Sequence, residues 1–183
     1  AIRQWVQSRT RFQVGSSHPG TSALDTYECG AGVCRDFAHL MISVCRALNI
    51  PARLATGVDY GADPALGPPD FHCYVEAYLG DRWYIFDPSG ISPRMGLLRI
   101  GTGRDASEVA FATIFGTVRW TMPKIRIRAE GDALNGIVEP FRHDYAVSTD
   151  CATAQPDEAV ALLHQQPATE GLATLRAEGA AGA

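Results

Sequence analysis

Cys34, His72 and Asp87 are the residues whose types and spacing could support covalent chemistry. Cys34 follows Gly30-Ala31-Gly32-Val33 and opens the strongest helical pattern in the chain. A thiol at a helix start sees the positive end of the helix dipole, which lowers its pKa and raises the share of thiolate, the nucleophilic form. The glycines beside it admit a substrate backbone, and the backbone around the helix start (Gly32, Val33, Cys34) is placed to bind substrate and to hold an oxyanion. An imidazole is the usual base for such a thiol, and a carboxylate on its far nitrogen fixes the tautomer. His72 and Asp87 can supply both.

Those two residues must come from a hairpin. HCYVEAYL (72–79) and RWYIFDPS (82–89) are rich in aromatic and β-branched residues, and Gly80-Asp81 links them. With Gly80-Asp81 as a two-residue turn, Leu79 opposes Arg82, Tyr74 opposes Asp87 and His72 opposes Ser89. His72 and Asp87 then share one sheet face as diagonal neighbours, with backbones about 7–8 Å apart. A slip of one residue would send them to opposite faces.

The remaining elements follow from periodicity and breakers. Residues 34–49 predict a helix with Phe37, Met41, Val44 and Leu48 as its apolar stripe and Asp36 in its first turn; Asn49 and Pro51 end it. Residues 1–12 predict a short amphipathic helix, and Thr21 or Ser22 caps a brief one that Gly30 and Gly32 break. Residues 52–60 predict a strand, 61–70 a loop and 97–100 a weaker strand. DASEVAFATIF (105–115) predicts a short helix, and the alternation over 117–128 one or two strands interrupted at Pro123. After about residue 143 the composition shifts to small residues and predicts a peripheral tail over 144–183, leaving 1–143 as the catalytic domain.

Composition narrows the class. The chain has 183 residues, 46% of them hydrophobic and 20% charged, as in a single globular domain. No run approaches the roughly 18 apolar residues of a membrane helix. A net charge of −4 gives no electrostatic reason to expect nucleic acid or an anionic membrane as partner. Five cysteines, an odd number without an N-terminal leader, argue against a secreted disulfide scaffold and for a reducing, cytoplasmic setting. The spacing of Cys29, Cys34, Cys45 and His72 is poor for zinc, because Cys34 and Cys45 stand about 16 Å apart on a straight helix. No metal or cofactor is expected. Cys45 reads as core, and so does Cys73, which points to the sheet face opposite His72. His39 lies mid-helix, too far around from Cys34 to partner it.

The order of a helix-start Cys, a strand His and a strand Asp resembles the transglutaminase-like superfamily of papain-type cysteine enzymes. GVCRDFAHL (32–40), ALNIPAR (47–53), FHCYVEAYL (71–79), WYIFDPSG (83–90) and IGTGRDASEVAFATIFG (100–116) all look like its bacterial branch. The resemblance implies an α+β papain-like fold, a central helix packed on an antiparallel sheet, with Cys34 as nucleophile, His72 as base and Asp87 as the orienting carboxylate. It also implies a peptide or protein amide substrate, a thioester intermediate and, in full-length relatives, an upstream β-rich domain. Animal cross-linking transglutaminases carry a Trp directly after the nucleophile, where this chain has Arg35, which argues against protein cross-linking; the bacterial branch favours hydrolysis, with transamidation as the alternative. Arylamine N-acetyltransferases share the residue order but carry Arg-Gly-Gly-x-Cys, against Ala31-Gly32-Val33-Cys34 here. A catalytically inactive peptide-binding module on the same fold stays open at this point.

Overall fold

A computed structural model describes residues 1–150, apart from 61–64, 66–69, 93–95, 111, 120, 122, 123, 136, 138 and 143–145. The elements, in chain order, are α1 (Ile2–Arg9), β1 (Arg11–Phe12), α2 (Ala23–Cys29), β2 (Ala31–Gly32), α3 (Cys34–Ala47), β3 (Ala52–Asp59), β4 (Phe71–Leu79), β5 (Arg82–Phe86), β6 (Leu97–Gly103) and β7 (Val147–Ser148). The five long-range strands form one antiparallel sheet in the order β6-β3-β4-β5-β7, and β1 and β2 make a separate parallel pair. Among the described residues no helix is long and apolar enough to cross a membrane.

Helix α3 is the centre of the core. Phe37, Ala38, Met41 and Cys45 recur at three- and four-residue intervals and are buried, with Leu40 and Ile42, against Val6, Ala52, Leu54 and Val75. The stripe is rotated from the sequence reading: Val44 is only partly buried, and Leu48, past the helix end, is exposed. The chain leaves α3 through Asn49 in a left-handed conformation, two residues before Pro51. Helix α2 begins with Ser22, whose hydroxyl and amide exchange hydrogen bonds with Asp25, satisfying two amide groups at the helix end reciprocally.

The hairpin register is the predicted one. Gly80 and Asp81 both have positive φ, the geometry of the two-residue turn whose twist matches the flanking strands, and Leu79 pairs with Arg82 and Val75 with Phe86. Strand β5 stops at Phe86 rather than continuing to residue 89. Asp87 precedes Pro88, which has no N–H for a ladder, and turns its carboxylate onto Ser89 and Ser92 instead.

Two expectations fail, and a third proves too short. The described residues of 105–115 form turns, not a helix: Asp105 accepts from the Ser107 amide and hydroxyl and Glu108 from the Arg104 amide, so side chains take up the backbone donors a helix would start from. The described residues of 117–128 form no strand: alternation makes a strand only with a partner to pair with, and none of these residues pairs with the sheet. Strand β6 runs on to Gly103, beyond the predicted residue 100, because β3 pairs with it as far as Leu54. On the tail side of residue 143, Val147 and Ser148 pair with Ile85 and Tyr84, and the Thr149 amide donates to the Trp83 carbonyl. Residues 151–183 lie outside the described part, as does most of the predicted 61–70 loop.

The sheet face away from α3 is also closed. Glu76 is fully buried between Arg53 and Arg99, and the Arg53 guanidinium lies 3.9 Å from the Trp83 ring centroid.

Candidate active site

Cys34 is the first residue of α3, so its amide belongs to the turn that has no carbonyl partner within the helix. The turn is pinned by Asp36, whose carboxylate is fully buried. One oxygen accepts from the Val33 amide at 2.8 Å and the other from the Ser17 hydroxyl at 2.8 Å, with the Arg35 guanidinium 3.6 Å away. Gly32 is required here: a Cβ at that position would stand 2.7 Å from the Asp36 Cβ. The Val33 amide, expected to help hold an oxyanion, is instead taken up by the Asp36 cap. The parallel pair β1–β2 supports the same turn, with the Gln13 amide donating to the Gly32 carbonyl at 2.9 Å.

His72 and Asp87 come together as the register requires. His72 Nε2 lies 3.4 Å from Asp87 Oδ1, and both side chains are 4% exposed. At that length, with no other hydrogen-bond partner on Nε2, we read the contact as a close charge pair rather than a fully formed hydrogen bond. Asp87 is held for it by the Ser89 amide and hydroxyl on Oδ1, at 2.9 and 2.6 Å, and by the Ser92 amide on Oδ2 at 3.0 Å. The thiol of Cys34 hydrogen-bonds both His72 and Cys73, and the Cys73 backbone contributes a further bond to it.

The electrostatics follow from these contacts. Hydrogen bonds from Cys73 and His72 together outweigh burial and hold the Cys34 thiol well below its usual value. Burial alone would push His72 down, but Asp87 and Cys34 raise it to about 10. Burial likewise works against the Asp87 charge, and His72, Ser89 and Ser92 still keep that carboxylate below its ordinary range. The directions of these shifts together favour a thiolate–imidazolium pair beside the Asp87 carboxylate. Cys73 is pushed up by its bond to Cys34 and by burial, so it stays a thiol and donates.

Cys73 corrects the sequence reading in part. It does pack against the core from the face opposite His72, yet its thiol also meets Cys34. Its position next to His72 in the chain was the only signal. The structure also gives Asp36 more than a first-turn charge: it is the buried clamp on the turn that carries Cys34. Cys45 is core and Cys29 exposed. His39 accepts from the Ala106 amide at 3.2 Å, and its pKa is lowered first by burial and then by Arg35, which makes it a neutral structural acceptor away from the thiol. Among the described residues no group of three or more His, Cys, Asp or Glu is placed to hold a metal.

A thiol at the start of a central helix, facing an imidazole and a carboxylate on an antiparallel sheet, defines an α+β papain-like core. The profile of the transglutaminase-like superfamily matches residues 1–88, a span that includes Cys34, His72 and Asp87. The crystal structure of a "Putative Cysteine Protease" from Cytophaga hutchinsonii superposes with a TM-score of 0.63 at 41% identity, over 78% of this chain and 47% of that one. An uncharacterised protein of Mycobacterium leprae is 30% identical over 115 residues, 60% of this chain and 41% of its own length. Over residues 1–88 the chain is thus similar to the transglutaminase-like superfamily, and it spans less than half the length of these two relatives.

Proposed function

We propose that the protein is a cysteine-dependent acyl-transfer enzyme acting on amide bonds of peptides or proteins through a thioester, with hydrolysis as the outcome. The observation that carries this reading is the Cys34 thiol held low by hydrogen bonds at a helix start, beside an imidazolium paired with a buried carboxylate. The Cys34 thiolate attacks the amide carbonyl carbon, and the oxyanion that forms meets the Cys34 amide at the positive end of α3. Collapse breaks the C–N bond, and the His72 imidazolium gives its proton to the leaving amine. His72, now neutral, takes a proton from water, whose oxygen attacks the thioester. The acid leaves and the Cys34 thiolate and the imidazolium are restored. Asp87 keeps Nε2 of His72 turned away from the thiol throughout.

The similarity to the Cytophaga "Putative Cysteine Protease" supports this chemistry, and Arg35 in place of a Trp after the nucleophile speaks against cross-linking. The test is to trap the nucleophile with a peptide-like electrophile and weigh the intact protein. The expected result is a single adduct at Cys34, lost in Cys34→Ala. Labelling spread equally over Cys29, Cys34 and Cys45 overturns the assignment.

A further inference from the structure

Beside the three groups of the site stands a fourth feature that the chemistry above does not use. Tyr74 shares its face of β4 with His72, two residues earlier, and its ring meets the imidazole edge to face, with centroids 4.5 Å apart and planes at 82°. The tyrosine is fully buried. Its hydroxyl donates to Oδ2 of Asp59 at 2.6 Å, and Asp59, the last residue of β3, is itself only 1% exposed. A buried phenol on a buried carboxylate has one stable orientation, because turning the ring would strand both groups away from water.

We infer that Tyr74 and Asp59 form a positioning pair for His72: the phenol, tied to the Asp59 carboxylate, is the wall that holds the imidazole facing Cys34 and Asp87. The inference rests on the catalytic reading of the site and deepens it. Three physical effects act together. The wall blocks rotation of the imidazole away from the thiol. The perpendicular packing of the two rings adds an aromatic contact that favours this one orientation of the imidazole. The charge-assisted hydrogen bond to Asp59 anchors the phenol, and with it the ring, in that place. Burial and the Asp59 charge keep the phenol protonated, its pKa pushed well up, so the donor is never lost in the working range. The titratable and polar groups facing these rings are Cys34 from α3, Asp59 on β3, and Asp87 with Ser92 after β5.

The experiment follows the rate of Cys34 alkylation by iodoacetamide against pH, which reports the thiolate without needing a substrate. The variants are Tyr74→Phe, Tyr74→Leu, Asp59→Ala and Asp59→Asn, each with its melting curve. In the wild type the rate rises with an inflection well below the ordinary thiol value. Tyr74→Leu, which removes the wall, moves that inflection up, with a fall of about tenfold or more in rate near pH 6. Tyr74→Phe and Asp59→Ala, which keep the ring but free it from its anchor, give a smaller fall of about threefold. Asp59→Asn restores most of the wild-type rate, since the amide oxygen still accepts from the phenol. If Tyr74→Phe and Asp59→Ala both keep the wild-type inflection, the positioning role is overturned while the catalytic reading stands. These two variants are mild enough to decide the matter should Tyr74→Leu fail to fold. A wild type with no low inflection overturns the reading of the site, and the positioning role with it.

Discussion

Replacing Asp87 with Asn should disable the site in a specific way that the geometry dictates. Both carboxylate oxygens of Asp87 are acceptors: Oδ1 faces the Ser89 amide and hydroxyl and His72 Nε2, and Oδ2 faces the Ser92 amide. An Asn side chain must put its NH₂ in one of those places. At Oδ2 it confronts the Ser92 N–H, donor against donor in a buried site, at a cost of about 1–3 kcal/mol. At Oδ1 it confronts the Ser89 N–H and donates to Nε2, so the imidazole carries its proton on the other nitrogen and offers no lone pair to Cys34. In either case the imidazolium loses its carboxylate. His72 is raised from 6.5 to about 10, and Asp87 is the first of the influences that raise it. Losing that partner lowers His72 toward its ordinary value and weakens the ion pair that favours the thiolate, so Cys34 alkylation at pH 6–7 should slow by about tenfold. Turnover on an amide substrate should fall further, by about 10⁴-fold, the loss seen when a triad carboxylate becomes an amide. The assay pairs Cys34 alkylation at pH 6–7 with hydrolysis of a substrate found for the wild type, and a melting curve shows that the fold survives. An Asp87→Asn protein with wild-type alkylation and turnover within about threefold would refute the reasoning, leaving Asp87 as a turn residue that caps Ser89 and Ser92.

Gly32→Ala forces a Cβ to within 2.7 Å of the Asp36 Cβ; it should destabilise the fold by about 1–3 kcal/mol and slow Cys34 alkylation, read by melting and by rate. His72 has a folded pKa of about 10, above its ordinary 6.5, so its contribution to stability is complete below about 6.5 and lost as pH rises through about 10; the melting temperature should drop across that alkaline limb, and a His72→Gln protein should not show the drop. Glu76→Gln removes the charge that Arg53 and Arg99 share under the sheet and should lower the melting temperature by several degrees with no change in Cys34 alkylation; a change in alkylation would tie that cluster to the site. A chain ending after residue 150 should melt and alkylate like the full chain, whereas one ending after 146 loses the β7 pairing with Tyr84 and Ile85 and should melt lower; equal melting of the two would show that β7 adds nothing to the sheet.

By itself the sequence determined what short-range chemistry controls. The run from Cys34 to Ala47 is a helix because its apolar residues recur at helical spacing. The Gly80-Asp81 turn accepts positive φ at both positions, and that one turn set the pairing that brings His72 and Asp87 to the same face. The residue pattern around Cys34, His72 and Asp87 was enough to suggest the family and the fold. Only the tertiary structure decided the rest. The alternation over 117–128 looked like a strand, but a strand needs a neighbour and its described residues find none, while Val147-Ser148, which composition had placed in a tail, pair with β5. The supports of the site were equally hidden. Asp36 closes onto Ser17 from a distant loop, Cys73 reaches Cys34 from another element, and Tyr74 finds Asp59 one strand away. Each is an ordinary residue in its own stretch of chain, and its role arises when burial takes away water as the alternative partner, so that only the group folded against it can satisfy its charge or hydrogen bond.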